Sequence, residues 1–195
     1  MPAKPLAKAS FSGAGSNLTE QALLEALRRK DPAGMRSFYD RYAGYLTAVA
    51  LRYVPDRAAV KDILQDAFLR MWDAVDRFEY RGEGSLKSWA GRIVVNGALK
   101  TLRAQGRLQS VEDLPDVAED DDVPVQQVPA AVMQRLIQEL PDGYRTVFNL
   151  FVFEKKPHRE IAALLGIKED SSASQFFRAR ALLARQIKAY LKEHA

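Results

Sequence analysis

Nowhere in this chain does a run of β-branched residues alternate with polar ones, as a half-buried strand requires. Apolar residues instead recur at helical spacing between capping residues and breakers. That restricts the fold to packed helices, and the punctuation sets their limits. Asn17 or Thr19 can cap a first helix through Arg29, with Leu18, Ala22, Leu23, Ala26 and Leu27 on one face. Asp31 caps a second, with Pro32 at its first position, and Val54-Pro55 stops it near Tyr53. Asp56 opens a third over roughly Arg57 to Arg77. The paired glycines of Arg81-Gly82-Glu83-Gly84 form a loop, after which Ser85 is expected to cap a fourth helix to about Ala104. Further helices are expected over about 130–139, from after Leu140-Pro141 to Phe153, and over 157–165 with Gly166 as a left-handed cap. A last one starts at Asp170 or Ser171, with Asp170 as its cap, and reaches about Tyr190.

Charge divides the 195 residues the same way. Residues 17–107 carry 16 cations against 11 acids, and residues 131–195 carry 11 against seven. Between them, residues 108–130 hold seven acids (Glu112, Asp113, Asp116, Glu119, Asp120, Asp121, Asp122), no cation and three prolines. The expected architecture is therefore all-α: a flexible tail (1–16), a helical domain (17–107), a flexible acidic linker (108–130) and a second helical domain (131–195). Two basic modules suit a polyanionic partner, although ordinary surface charge gives the same totals. The absence of cysteine excludes disulfides and thiolate metal sites, and two histidines exclude a histidine-rich centre. No apolar run approaches the ~18 residues of a membrane span, and the tail lacks a secretory apolar core. The expectation is a cytoplasmic protein with no membrane insertion, no metal and no cofactor. An enzyme acting on nucleic acid would need a metal cluster or a nucleophile–base pair, and neither is visible.

The strongest single motif lies near the C-terminus. Arg159 to Ile167 joins a short amphipathic helix to a glycine-containing turn, and another helix follows, which matches the helix-turn-helix pattern. On that last helix Ser172, Phe176, Ala179, Leu183 and Ile187 share one side. Ser171, Ser174, Phe177, Arg178 and Arg185 share the other, a mixture suited to phosphates and guanine in a major groove. A plain helical hairpin with a solvated face has the same periodicity. Glu169 and Asp170 oppose the nucleic-acid reading locally, because they would repel phosphate.

These residues resemble a known family. Leu140-Pro141-Asp142-Gly143-Tyr144-Arg145-Thr146-Val147-Phe148, Glu160-Ile161-Ala162, Leu165-Gly166-Ile167, Ser174-Gln175 and Arg178-Ala179-Arg180 resemble the C-terminal domain of extracytoplasmic-function sigma factors. Asp62 to Trp72 is similar to that family's polymerase-binding helix. Ser88-Trp89, Arg92-Ile93 and Asn96 are similar to its promoter-melting helix. The resemblance implies a sigma factor that binds core RNA polymerase, recognises promoter DNA and initiates transcription, commonly under an anti-sigma factor. It implies polymerase and minus-ten binding by the first domain and minus-thirty-five binding by the second.

The side chains offer matching chemistry. Asp62, Gln65, Asp66, Leu69 and Asp73 make an acidic helix face with one apolar spot, fit for a basic protein helix or simply solvated. Val60, Ile63, Leu64, Ala67, Phe68, Met71, Trp72 and Val75 form the opposite stripe, expected to be buried. Trp89, Arg92, Ile93, Asn96, Lys100 and Arg103 share an arc of the fourth helix, and single-stranded DNA needs that mixture of cations, stacking surface and amide. Trp89 is equally readable as a core residue. Tyr80 and the flexible loop glycines could wall a pocket for a flipped base, and Tyr80, Ile93, Asn96 and Lys100 match family positions that contact bases. Lys100 departs from an amide found in some members. The expected minus-thirty-five residues are Ser171, Ser174, Gln175, Phe177 and Arg178. There the family's Gly-Thr-Val-Lys reads Asp170-Ser171-Ser172-Ala173, so Ala173 removes a cation and implies weaker duplex binding. His158 is read as touching phosphate or as exposed and idle. The Asp120-Asp121-Asp122 run is read as solvated linker, with metal binding or nucleic-acid mimicry as alternatives. The competing function is a stand-alone helix-turn-helix regulator that never engages polymerase.

Overall fold

The computed structural model describes residues 18–108 and 123–194, and all regular structure among them is helical. The first module comprises α1 (Glu20–Arg28), α2 (Pro32–Tyr53), α3 (Arg57–Ala74) and α4 (Ser85–Ala104). The second comprises α5 (Ala130–Glu139), α6 (Asp142–Val152), α7 (His158–Leu165) and α8 (Glu169–Glu193). The tail and the acidic run fall outside the described residues. Among those residues no helix is long and apolar enough to cross a membrane.

Three starts carry side-chain caps. Thr19 accepts from the Ala22 N–H, Asp31 from Ala33, and Asp56 from both Ala58 and Ala59. Two starts correct the sequence reading. Ser85 is the first residue of α4 rather than its cap; that place belongs to Gly84 at φ 86°. Asp170 lies inside the first turn of α8, which begins one residue earlier behind Lys168, and no side chain caps it. The α3 pattern also ends early, at Ala74, and Val75–Arg77 tighten into a 3-10 turn. Lys30 donates to the Trp72 carbonyl there and lies 3.2 Å from Asp76, so a cation sits on one of the closing carbonyls.

The principal core draws Leu23, Leu24 and Leu27 from α1, Phe38 and Leu46 from α2, Ile63 and Met71 from α3, and Leu86, Val94 and Leu102 from α4. Each such side chain contributes about 1.5–3 kcal/mol when fully buried. Val147 and Leu150 of α6 and Ile161 of α7 join the same cluster, so the second module docks directly on the first. A smaller cluster unites Leu136, Ile137, Tyr144, Leu183 and Ile187 within the second module.

Main-chain oxygens complete the junction. The last carbonyls of a helix have no partner inside it. At the end of α2, Leu51 accepts from Gln138 Nε2 at 3.1 Å and Arg52 from Asn149 Nδ2 at 2.8 Å. Tyr53 accepts from Arg145 Nε at 3.1 Å and Nη2 at 2.9 Å. The segment between the modules is anchored where it is described: Leu108 is buried against the first core, and Val123 and Val128 pack into the second.

Candidate nucleic-acid interface

The ridge expected on α4 is at the surface. Arg92, Asn96, Lys100 and Arg103 are exposed, while Ala90, Val94, Val95, Ala98 and Leu102 turn into the core. Trp89 and Ile93 are half-buried at the margin. Trp89 joins the two readings the sequence left open. It packs against the core and on Phe78, with ring centroids 5.0 Å apart, yet it also lines an open cleft of about 470 Å³. Arg77, Glu79, Arg81, Ser85, Ser88 and Arg92 complete that cleft. Aromatic surface beside cations suits an unstacked base and its phosphate. Arg103 differs from its neighbours: its Nη2 donates to the Leu164 carbonyl at 2.6 Å, across to the second module.

The loop before α4 is held in place, which corrects the expectation of flexible glycines. Gly82 at φ 106° and Gly84 at φ 86° occupy backbone conformations that L side chains rarely adopt, so these positions need glycine for shape rather than mobility. Ser85 Oγ accepts from the Arg81 N–H at 3.2 Å and donates to the Gly82 carbonyl at 2.6 Å. Arg41 reaches Glu83 at 3.1 Å. Tyr80 is half-buried, and desolvation, reinforced by Glu83 and then Glu20, raises its phenol above the ordinary value.

One residue that the sequence reading missed organises this region. Glu20, in the first turn of α1, is 1% exposed. Its Oε2 accepts from the Gly84 N–H at 2.7 Å. Its Oε1 accepts from the Lys87 N–H at 3.1 Å and from the Tyr42 hydroxyl at 2.9 Å. Burial, followed by the Glu20 carboxylate, pushes the Tyr42 hydroxyl well above its ordinary range. In the sequence, Glu20 offers only an acid near a helix start, which fits any helix N-terminus. Phe78 was also missed; its signal was an aromatic residue just ahead of the loop.

On α3, Asp62, Gln65, Asp66, Leu69 and Asp73 are all exposed, Leu69 at 59%. Four of them border two different surfaces. Gln65 and Leu69 edge an apolar groove of about 860 Å³ between α2 and α3, floored by Met35, Leu64, Phe68 and Trp72. Asp62 and Asp66 instead face Ile93 and Lys100 across a smaller cleft between α3 and α4. The stripe expected to be buried is therefore only partly so. Val60, Ile63, Ala67, Met71 and Val75 are buried, but Leu64, Phe68 and Trp72 are half-open, because among the described residues nothing covers the α2–α3 groove.

In the second module α7, Gly166 at φ 71° and α8 form the expected helix-turn-helix. Ser172, Ala179, Leu183 and Ile187 are buried, as their shared side predicts, and Phe176 is half-buried. Ser174 and Phe177 are exposed, while Ser171, Gln175 and Arg178 are half-buried. Phe177 also edges an apolar hollow lined by Val123, Val125, Met133 and Phe148. His158 is half-buried rather than exposed. It stacks on Phe151 with centroids 4.7 Å apart, and its Nδ1 lies 3.0 Å from the buried Ser172 hydroxyl. Among the described residues no group of three or more His, Cys, Asp or Glu could hold a metal.

Comparison with known proteins follows the same division. Residues 38–108 match the model of sigma-70 region 2, and residues 130–183 that of sigma-70 region 4. The chain is 29% identical over 184 residues to the ECF RNA polymerase sigma-E factor of Haemophilus influenzae, covering 87% of this chain and 96% of that protein. It is 26% identical over 189 residues to the sigma-E factor of Escherichia coli, covering 90% and 97%. Among solved structures, CnrH in complex with the cytosolic domain of CnrY is similar with a TM-score of 0.47 and 22% identity, covering 86% of this chain and 96% of that one. The sigma factor RpoE bound to the anti-sigma factor NepR from Bartonella quintana gives 0.48 and 21%, covering 78% and 96%. With both regions present in order and whole-length relatives on either side, the chain belongs to the sigma-70 family of RNA polymerase sigma factors, in its extracytoplasmic-function group.

Proposed function

We propose a division of labour within a sigma factor that binds core RNA polymerase, recognises promoter DNA and initiates transcription. The first module binds polymerase through Asp62, Gln65, Asp66, Leu69 and Asp73. It receives the opened minus-ten strand on Tyr80, Trp89, Arg92, Ile93, Asn96, Lys100 and Arg103. The second module places the first turns of α8 on minus-thirty-five duplex through Ser171, Ser174, Gln175, Phe177 and Arg178. The observation that carries this reading is the α4 surface. An exposed amide and cations flank a half-open tryptophan beside a cleft, on a module whose α3 face is acidic. Stacking one unpaired base on such a ring contributes about 1–3 kcal/mol, on the scale of unstacking it.

The chemistry is recognition and strand separation with no catalysis of its own. The protein works in the cytoplasm with the polymerase, and an anti-sigma factor restrains it, as is common in the family. The competing reading, a stand-alone duplex-binding regulator, leaves the acidic α3 face and the α4 cleft without purpose.

Run-off transcription with core polymerase on a promoter library tests the assignment. Asn96→Ala is expected to lose promoter opening while keeping duplex binding. Arg178→Ala is expected to lose affinity for the upstream duplex. A wild-type protein that neither co-migrates with core polymerase nor supports a defined start would reject the assignment in favour of the regulator.

A further inference from the structure

The N-terminus of α4 is capped from a distance. In an ordinary capping box, the cap residue's side chain accepts from the third helical N–H, and a glutamate at that third position accepts from the cap's own N–H. Here the cap is Gly84, which has no side chain, and the third residue is Lys87, which has no acceptor. Glu20 supplies both halves from another helix, with one oxygen on the Gly84 N–H and the other on the Lys87 N–H. A buried carboxylate needs such partners, and the positive end of α4 and the Tyr42 hydroxyl supply the rest. Because Gly84 is the last residue of the loop and Lys87 belongs to the first turn of α4, the carboxylate fixes the angle between them. Tyr80 stands on one side of that angle, and Trp89 on the other.

We infer that Glu20 is a positioning residue for minus-ten recognition: from α1 it sets the loop and the first turn of α4 in the register that admits a particular unpaired base. This rests on the proposed minus-ten role of Tyr80 and α4. Glu20 touches no nucleotide; it acts through the backbone at Gly84 and Lys87. The segment holding it lies outside the residues that match sigma-70 region 2, so base selection depends on a helix that precedes the matched region.

The test uses holoenzyme, made from core polymerase and the full chain, binding forked promoter DNA whose unpaired minus-ten strand carries each base in turn. Glu20→Gln keeps the side chain's shape but turns an NH2 toward one of the two amides. The ratio of affinities between the best and worst base is expected to fall about fivefold, the scale of a lost cap. Core-polymerase binding and minus-thirty-five duplex binding should stay at wild-type values, which a merely destabilised fold would not give. Wild-type discrimination in Glu20→Gln overturns the proposal. If that variant does not fold, Tyr42→Phe decides by the same ratio, because it deletes the hydroxyl that orients the carboxylate. Reduced discrimination then supports the proposal, and unchanged discrimination overturns it. Asn96→Ala is the control: if it also discriminates like wild type, the minus-ten assignment fails and the Glu20 role falls with it.

Discussion

Arg145 holds a guanidinium at 3% exposure, where an unpaired charge would be prohibitive. Burial draws its pKa down, and Asp142 opposes that shift. Its donors reach Asp142 and the carbonyls of Tyr53, Gln138 and Leu140, so one side chain fastens α6 to the end of α2 and to the turn before itself. Removing it would leave those acceptors in a closed interior. Arg145→Ala is therefore expected to lower stability by about 3 kcal/mol in chemical denaturation; a loss below about 0.5 kcal/mol would show that water replaces it freely. In the sequence Arg145 is only one letter of a motif. Its structural weight is invisible there because its partners are mainly main-chain oxygens, which every sequence possesses.

At the scale of elements, legibility follows the location of the cap. Starts at Thr19, Asp31 and Asp56 were readable because the satisfying oxygen is local. The start of α4 was misread because its oxygens come from Glu20, 64 residues away from Gly84. The α3 stripe was periodic as expected, yet periodicity does not say whether a neighbour arrives to cover it, and beside Leu64 and Phe68 none does among the described residues. The last helix was legible on its inward side, where Ser172, Ala179, Leu183 and Ile187 are buried as read. Ala173 is exposed, one turn after Glu169, so a lysine there gains a helical neighbour of opposite charge as well as a reach to phosphate. Ala173→Lys is expected to tighten minus-thirty-five duplex binding and to steepen the salt dependence by about one unit of log–log slope. An unchanged slope in a fluorescence-anisotropy salt titration would place position 173 away from the backbone.

For the whole molecule, the contact between modules is what sequence reasoning could not supply, since two basic halves with their own cores have no evident reason to meet. Glu154 sits beside this seam. Its carboxyl is raised by burial, against the opposing pull of Arg52 on α2, Lys156, and Arg92 on α4. A raised acid binds more protons folded than unfolded, so it weakens the fold as pH climbs from 4.5, its ordinary value, through the raised value. Glu154→Gln removes that penalty. The variant should melt higher than wild type at neutral pH, with the difference vanishing in acid; thermal scans showing a constant difference across pH would contradict the sign.

The bond from Arg103 to the oxygen of Leu164 has one more implication. A guanidinium hydrogen cannot point at a peptide oxygen and at a nucleotide in the same instant. While the Leu164 oxygen holds that hydrogen, an anion approaching Arg103 meets the N–H groups that remain, so the arginine can face a phosphate and still tie α4 to the end of α7.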